Sequence, residues 1–159
     1  MFSSLLNGSS GGESDDRGLY LGNGGLITQI ARKSQATPEG NGTFSFFRNY
    51  RINNSGQIAF DAFIRESSGG ALDGHGLYYA NLTGTLTNVL RLGDALEGNT
   101  VTALHRLGQN DLGQIAFHVD LGADGLNGVY RYGAGEITRI VRSGDIVSSG
   151  NVISVVDNA

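Results

Sequence analysis

Short apolar runs alternate with clusters of Gly, Asn, Asp and Ser along the whole chain. No segment sustains apolar residues at the i, i+3, i+4, i+7 spacing of an amphipathic helix, and none approaches the ~18 consecutive apolar residues of a membrane span. The pattern is one of short strands and tight turns. Its clearest mark is Asn53-Asn54-Ser55-Gly56-Gln57-Ile58-Ala59-Phe60, which returns as Asn110-Asp111-Leu112-Gly113-Gln114-Ile115-Ala116-Phe117. Self-similarity at a fixed period is the signature of a repeat architecture. Asn and Gly tolerate positive φ, so N-x-x-G predicts a tight reversal, with Gly56 and Gly113 in the left-handed region. Gln-Ile-Ala-Phe then opens a strand that runs on to Phe63 and Ile64, or to Val119 and Leu121. The Ala beside each Phe predicts a strand squeezed between packed sheets.

Three further signals keep the same order. Gly18-Leu19-Tyr20-Leu21, Gly76-Leu77-Tyr78-Tyr79 and Gly128-Val129-Tyr130-Arg131 each follow a Gly- and Asp-rich loop. Strands rich in Thr, Val and Ile come next, at 26–32, 86–91 and 137–142. A Gly-Asp turn follows at 93–94 and 144–145, degenerate as Ser34-Gln35 in the first copy. A fourth strand is expected at 43–49, 101–107 and 152–156. The fold expected is therefore all-β, with three four-stranded antiparallel blade repeats of β-propeller type. The units run approximately over 1–56, 57–113 and 114–159, in a single repeat domain. Phe60, Phe117, Ile58, Ile115, Leu77, Val129, Leu90 and Val141 are expected to be buried between units. Met1 to Leu6 lacks the basic start and long apolar core of a signal peptide and reads as the opening strand of a unit.

Composition narrows the chemistry. The net charge of −4, with dispersed arginines, gives no basic patch for nucleic acid. Cysteine is absent, so stability rests on packing and hydrogen bonds. Weak calcium candidates are Asp15, Asp16, Asp73 and Asp124, acidic residues recurring in equivalent loops, but the full D-x-[DN]-x-[DN]-G pattern is missing and hairpin turns are the plainer reading. Asp94 and Asp145 stand three residues after Arg91 and Arg142, which suggests Arg–Asp pairs of structural value across the turn. His75, His105 and His118 stand singly, with no ligand spacing between them. No G-x-S-x-G elbow and no phosphate loop is present. Four N-x-[ST] matches, at Asn7, Asn41, Asn53 and Asn81, are of the number chance gives in so Ser- and Thr-rich a chain. No catalytic residue or cofactor is assigned.

The octets at 53–60 and 110–117, with the G-L-Y and R-x-G-D signals, resemble the bacterial tandem-repeat family named for its N-x-x-G-x-x-A-F motif. The resemblance covers nearly the whole chain and rests on Asn53, Gly56, Ala59, Phe60, Asn110, Gly113, Ala116 and Phe117. It implies a secreted or cell-surface setting, although this chain has few repeats and shows no anchor segment. The function expected is a non-catalytic module for assembly or for binding a carbohydrate or protein ligand. Head-to-tail self-association is expected, into a closed dimer or a filament, because three units fall short of the four to eight blades that close a propeller. The alternatives are a structural filament subunit, and a glycan-active enzyme using Asp73, Asp120 and Asp124.

Overall fold

The computed structural model describes residues 1–22, 24–122 and 125–156. It is all-β, with twelve strands in three antiparallel sheets and two short 3₁₀ turns, at Gly12–Ser14 and Gly70–Leu72. The first sheet holds β1 (Phe2–Leu5), β2 (Arg17–Leu21) and β3 (Thr28–Arg32). The second holds β4 (Thr43–Ile52), β5 (Ile58–Arg65), β6 (His75–Ala80) and β7 (Leu86–Arg91), ordered as in sequence. The third holds β8 (Ala95–Leu96), β9 (Asn99–Gln109), β10 (Ile115–Leu121), β11 (Leu126–Gly133) and β12 (Glu136–Arg142). Among the described residues no helix is long and apolar enough to cross a membrane.

The sheets thus have three, four and five strands, where three of four were expected. The expected units 1–56, 57–113 and 114–159 are shifted, because each fourth strand pairs with the strand after it: β4 joins β5 and β9 joins β10, which leaves three strands in the first sheet, and the third gains the two-residue β8 from the hairpin leading into β9. Residues 152–156 do not form the expected strand. They make an isolated bridge from Ile146 to Val152 and backbone bonds between Ile153 and both Gly144 and Asp145, whereas the counterparts β4 and β9 pair with a strand that follows them, and none follows here among the described residues. The strand expected from Leu26 begins at Thr28, leaving Leu26 and Ile27 exposed.

The units nevertheless match in register. Phe2 pairs with Tyr20, Phe60 with Tyr78, and Phe117 with Tyr130. Each sheet carries a bulge at the same place, between Leu19 and Tyr20, Leu77 and Tyr78, and Val129 and Tyr130. The bulge leaves one extra residue on the facing strand: Ile30, Val89 and Ile140. Such bulges bend and twist the strand pair.

Two cores lie between consecutive sheets. Leu19, Ile30 and Ala31 of the first sheet pack with Phe44, Phe47, Phe60 and Tyr78 of the second. Ala59, Leu77 and Leu90 of the second pack with Leu104, Leu107, Phe117 and Tyr130 of the third. The expected burial holds for Phe60, Phe117, Ile58, Ile115, Leu77 and Leu90. It fails for Val129 and Val141, which are half-buried; Ala116, beside Phe117, is also exposed, where its counterpart Ala59 is fully buried. All three lie on the outer face of the third sheet, which no further sheet among the described residues covers.

Candidate functional site

The N-x-x-G turns form a seam between units. Within each turn the Asn side-chain carbonyl accepts the Gln backbone N–H, Asn53 from Gln57 at 2.9 Å and Asn110 from Gln114 at 3.0 Å. The two turns also bond to each other. Asn53 Nδ2 donates to the Asn110 carbonyl at 3.0 Å, and Asn54 donates through both N and Nδ2 to the Asp111 carboxylate, at 3.0 and 2.8 Å. Within its own sheet Gln57 also donates to the Tyr79 hydroxyl at 2.7 Å. The octet therefore ties one unit to the next as well as turning the chain.

Gly56 and Gly113 have φ of 80° and 75°, as expected from the motif. A Cβ on Gly113 would also lie 2.5 Å from Gln57 Oε1, whereas on Gly56 it would meet only Leu82, at 3.7 Å. Val at either position is expected to destabilise by about 1–3 kcal/mol. Gly113→Val should be the costlier, because it also displaces Gln57 from the seam. Chemical denaturation of both variants checks the order, and two unchanged midpoints would refute it.

A second constellation sits under the neighbouring loop. Arg91 is buried, and its Nη1 donates to Glu39 Oε1 at 2.7 Å and to the Asn41 carbonyl at 2.8 Å, while Nε donates to the Asp73 carbonyl at 3.0 Å. The Tyr78 hydroxyl donates to the same Glu39 oxygen at 3.0 Å. The third sheet repeats the arrangement around Glu97, which accepts from Tyr130 at 3.0 Å and from Arg142 at 3.2 Å. Burial, and then the carboxylate, raise both phenols: Tyr78 well above the usual range, Tyr130 to about 12. The Tyr20 hydroxyl is buried and has no hydrogen-bond partner among the described residues. The sequence signal for this pattern is Glu-Gly at 39–40 and 97–98, ahead of the fourth strand, which reads locally as nothing more than a turn.

The acidic loops are braced by bonds within the loop and by groups from neighbouring segments. Asp73 accepts from the Ser67 hydroxyl, from Asn41 Nδ2 at 2.9 Å and from the Gly69 N–H at 3.2 Å, and these partners, Ser67 foremost, hold its carboxyl below the ordinary value. Asp15 is held low in the same way, first by Ser9 and then by Arg32, whose Nη2 lies 3.0 Å away. Asp16 lies 3.5 Å from Lys33 Nζ. These carboxylates face donors and cationic side chains, an arrangement that braces turns. The shared loop sequence is S-S-G-G-x-x-D, at 9–15 and 67–73. Asp124 lies outside the described residues.

The pairs expected between Arg91 and Asp94, and between Arg142 and Asp145, are also different in kind. Each Asp accepts from the backbone N–H of the Arg, at 2.7 and 2.8 Å, and Gln35 Oε1 does the same for Arg32 at 3.0 Å. The Arg side chains are thereby left for the Glu-centred networks. Asp73 and Asp120 are each engaged with their own partners, the one in a loop brace and the other with His105.

Two of the three histidines do meet. His105 on β9 and His118 on β10 have ring centroids 4.8 Å apart, and His105 Nε2 lies 2.9 Å from Asp120 Oδ2. The third, His75, is stacked on Phe63 and lies 2.6 Å from Asp61 Oδ2 in the second sheet. Sequence spacing hid the first group because its members come together only across the β9–β10 hairpin, whose register shifts between Phe117 and Val119.

No curated protein matches the chain, and no solved structure matches it. One family model covers residues 1–130, from β1 through the central strands of the third sheet. The chain therefore belongs to that family, the family of unknown function DUF7453.

Proposed function

We propose that this chain is a run of three propeller-like β-repeat units acting without catalysis, and that it joins further copies of itself head to tail. The observation that carries this reading is the contrast between equivalent positions. Ile30 and Ala31 are buried by the second sheet, at 5% and 0% exposure, whereas Ile140 is 57% exposed and Val141 only half-buried. The opposite end offers the complementary surface: Phe2 is 40% exposed, although its register counterparts Phe60 and Phe117 are buried. A second copy presenting its Phe2–Tyr20 face to Ile140 and Val141 would repeat a contact the chain already makes twice within itself. Such a contact is heterologous, so it closes into a ring or runs on as a filament. The secreted or cell-surface setting that the N-x-x-G-x-x-A-F resemblance implies is consistent with a module of this kind.

Analytical ultracentrifugation tests the reading. The chain is expected to associate at high micromolar concentration, and Val141→Asp is expected to return it to monomer with its fold intact by circular dichroism. A strictly monomeric parent chain under those conditions, with both end sheets ordered, would overturn it.

A further inference from the structure

We infer that His105, His118 and Asp120 form a binding site for a divalent transition-metal ion of the zinc type. One ligand atom from each lies within 4.8 Å of the others. Two imidazoles and one carboxylate are a donor set suited to zinc, at bond lengths of about 2.0–2.2 Å, with a fourth tetrahedral position left for water or another ligand. Ligand atoms around such an ion stand roughly 3.3 Å apart, so small side-chain rotations would bring the three atoms onto one centre. The supply route is open as well: the His105 and Asp120 side chains are 36% and 40% exposed, while His118 forms the buried wall.

The comparison between sheets makes the site more than a chance ion pair. The second sheet has Arg48, Asp61, Phe63 and His75 at the positions that hold His105, His118, Asp120 and Asn127 in the third. There the cluster closes upon itself. Arg48 Nε pairs with Asp61 Oδ2 at 3.1 Å, His75 pairs with the same oxygen, and Phe63 lies under both the guanidinium and the imidazole. In the third sheet the fixed cation has been replaced by an imidazole, its carboxylate partner by a second imidazole, and the aromatic spacer by a carboxylate. The three groups that replace a self-neutralising cluster are three metal-ligating side chains, beside a register shift where the His105 and His118 rings stand 4.8 Å apart.

Zinc titration of the intact chain, in competition with a chromogenic chelator, tests this at concentrations too low for association. One Zn²⁺ per chain is expected at micromolar free ion. Losing an outer partner of a metal site typically costs about 10–100-fold in affinity, so removing a direct ligand by His105→Ala or Asp120→Asn should cost at least as much. Glu136→Gln, an exposed carboxylate elsewhere on the sheet, should bind as the parent chain does. Because His105 and Asp120 are half exposed, both variants are expected to fold, and zinc should raise the thermal midpoint of the parent but of neither variant. Cobalt substitution should give the absorption of a tetrahedral site. Absence of binding at micromolar zinc, binding undiminished by both ligand substitutions, or displacement by calcium, which prefers oxygen ligands, would each overturn the assignment.

Discussion

Replacing Phe60 with Ala is expected to cost about 3–5 kcal/mol of stability. The ring is fully buried and meets Tyr78 stacked at 5.5 Å, Phe47 edge-on at 5.8 Å and Phe44 at 6.0 Å. Truncation leaves a cavity among other large rings, which cannot collapse into it without leaving their own rotamers. The repeat supplies internal controls. Phe117 occupies the same register position and is buried, but among the rings it meets only Tyr130, at 6.3 Å, so its truncation should fall lower in the same range. Phe2, at the same position in the first sheet, is 40% exposed, and its loss should cost less than about 1.5 kcal/mol, since much of its area already faces water. Urea denaturation with comparable slopes would give the order Phe60, Phe117, Phe2. A Phe2 variant as damaged as the Phe60 variant would mean that the three positions are not equivalent in packing.

That ranking separates what the sequence carries from what it cannot. Local chemistry was readable: Gly56 and Gly113 announce their φ because only Gly sits there without strain, and the alternation after them announces a strand. The order of strands followed from repetition of G-L-Y and of the Thr-rich strand after it. Burial was less readable, because it belongs to the neighbouring unit and not to the residue. Val129 and Leu77 have the same local setting, yet Leu77 is covered by the third sheet and Val129 by no sheet among the described residues. The His105–His118–Asp120 group depended on a register shift within one hairpin. A single residue of slip changes which face a side chain occupies, and the shift leaves no mark in composition. The strand expected at 152–156 had the right residues but no ladder to join.

The Glu39 network was the least legible feature, since Glu39 and Arg91 stand 52 residues apart, and it leads to the second large expected effect. Arg91→Ala should cost about 3 kcal/mol, near the low end of what removing one partner of a buried ion pair costs. The Arg91 side chain is only 5% exposed, and the substitution strips partners from the Glu39 carboxylate and from the backbone carbonyls of Asn41 and Asp73 together. Glu39 keeps some access to water, at 24% exposure, which places the effect at the low end. Arg91→Lys should recover little, because an ammonium cannot reach three acceptors with the planar fork of a guanidinium. Arg142 holds the matching place in the third sheet, but both it and Glu97 are partly solvated, so Arg142→Ala should cost no more than about 1 kcal/mol. The Tyr–Glu–Arg arrangement is shared, so the difference comes from cover and from the Asn41 and Asp73 carbonyls that Arg91 also holds, for which Arg142 has no counterpart among the described residues. Denaturation midpoints of the two Ala variants measure it directly, and equal losses at both arginines would show that burial between units does not set the strength of this network.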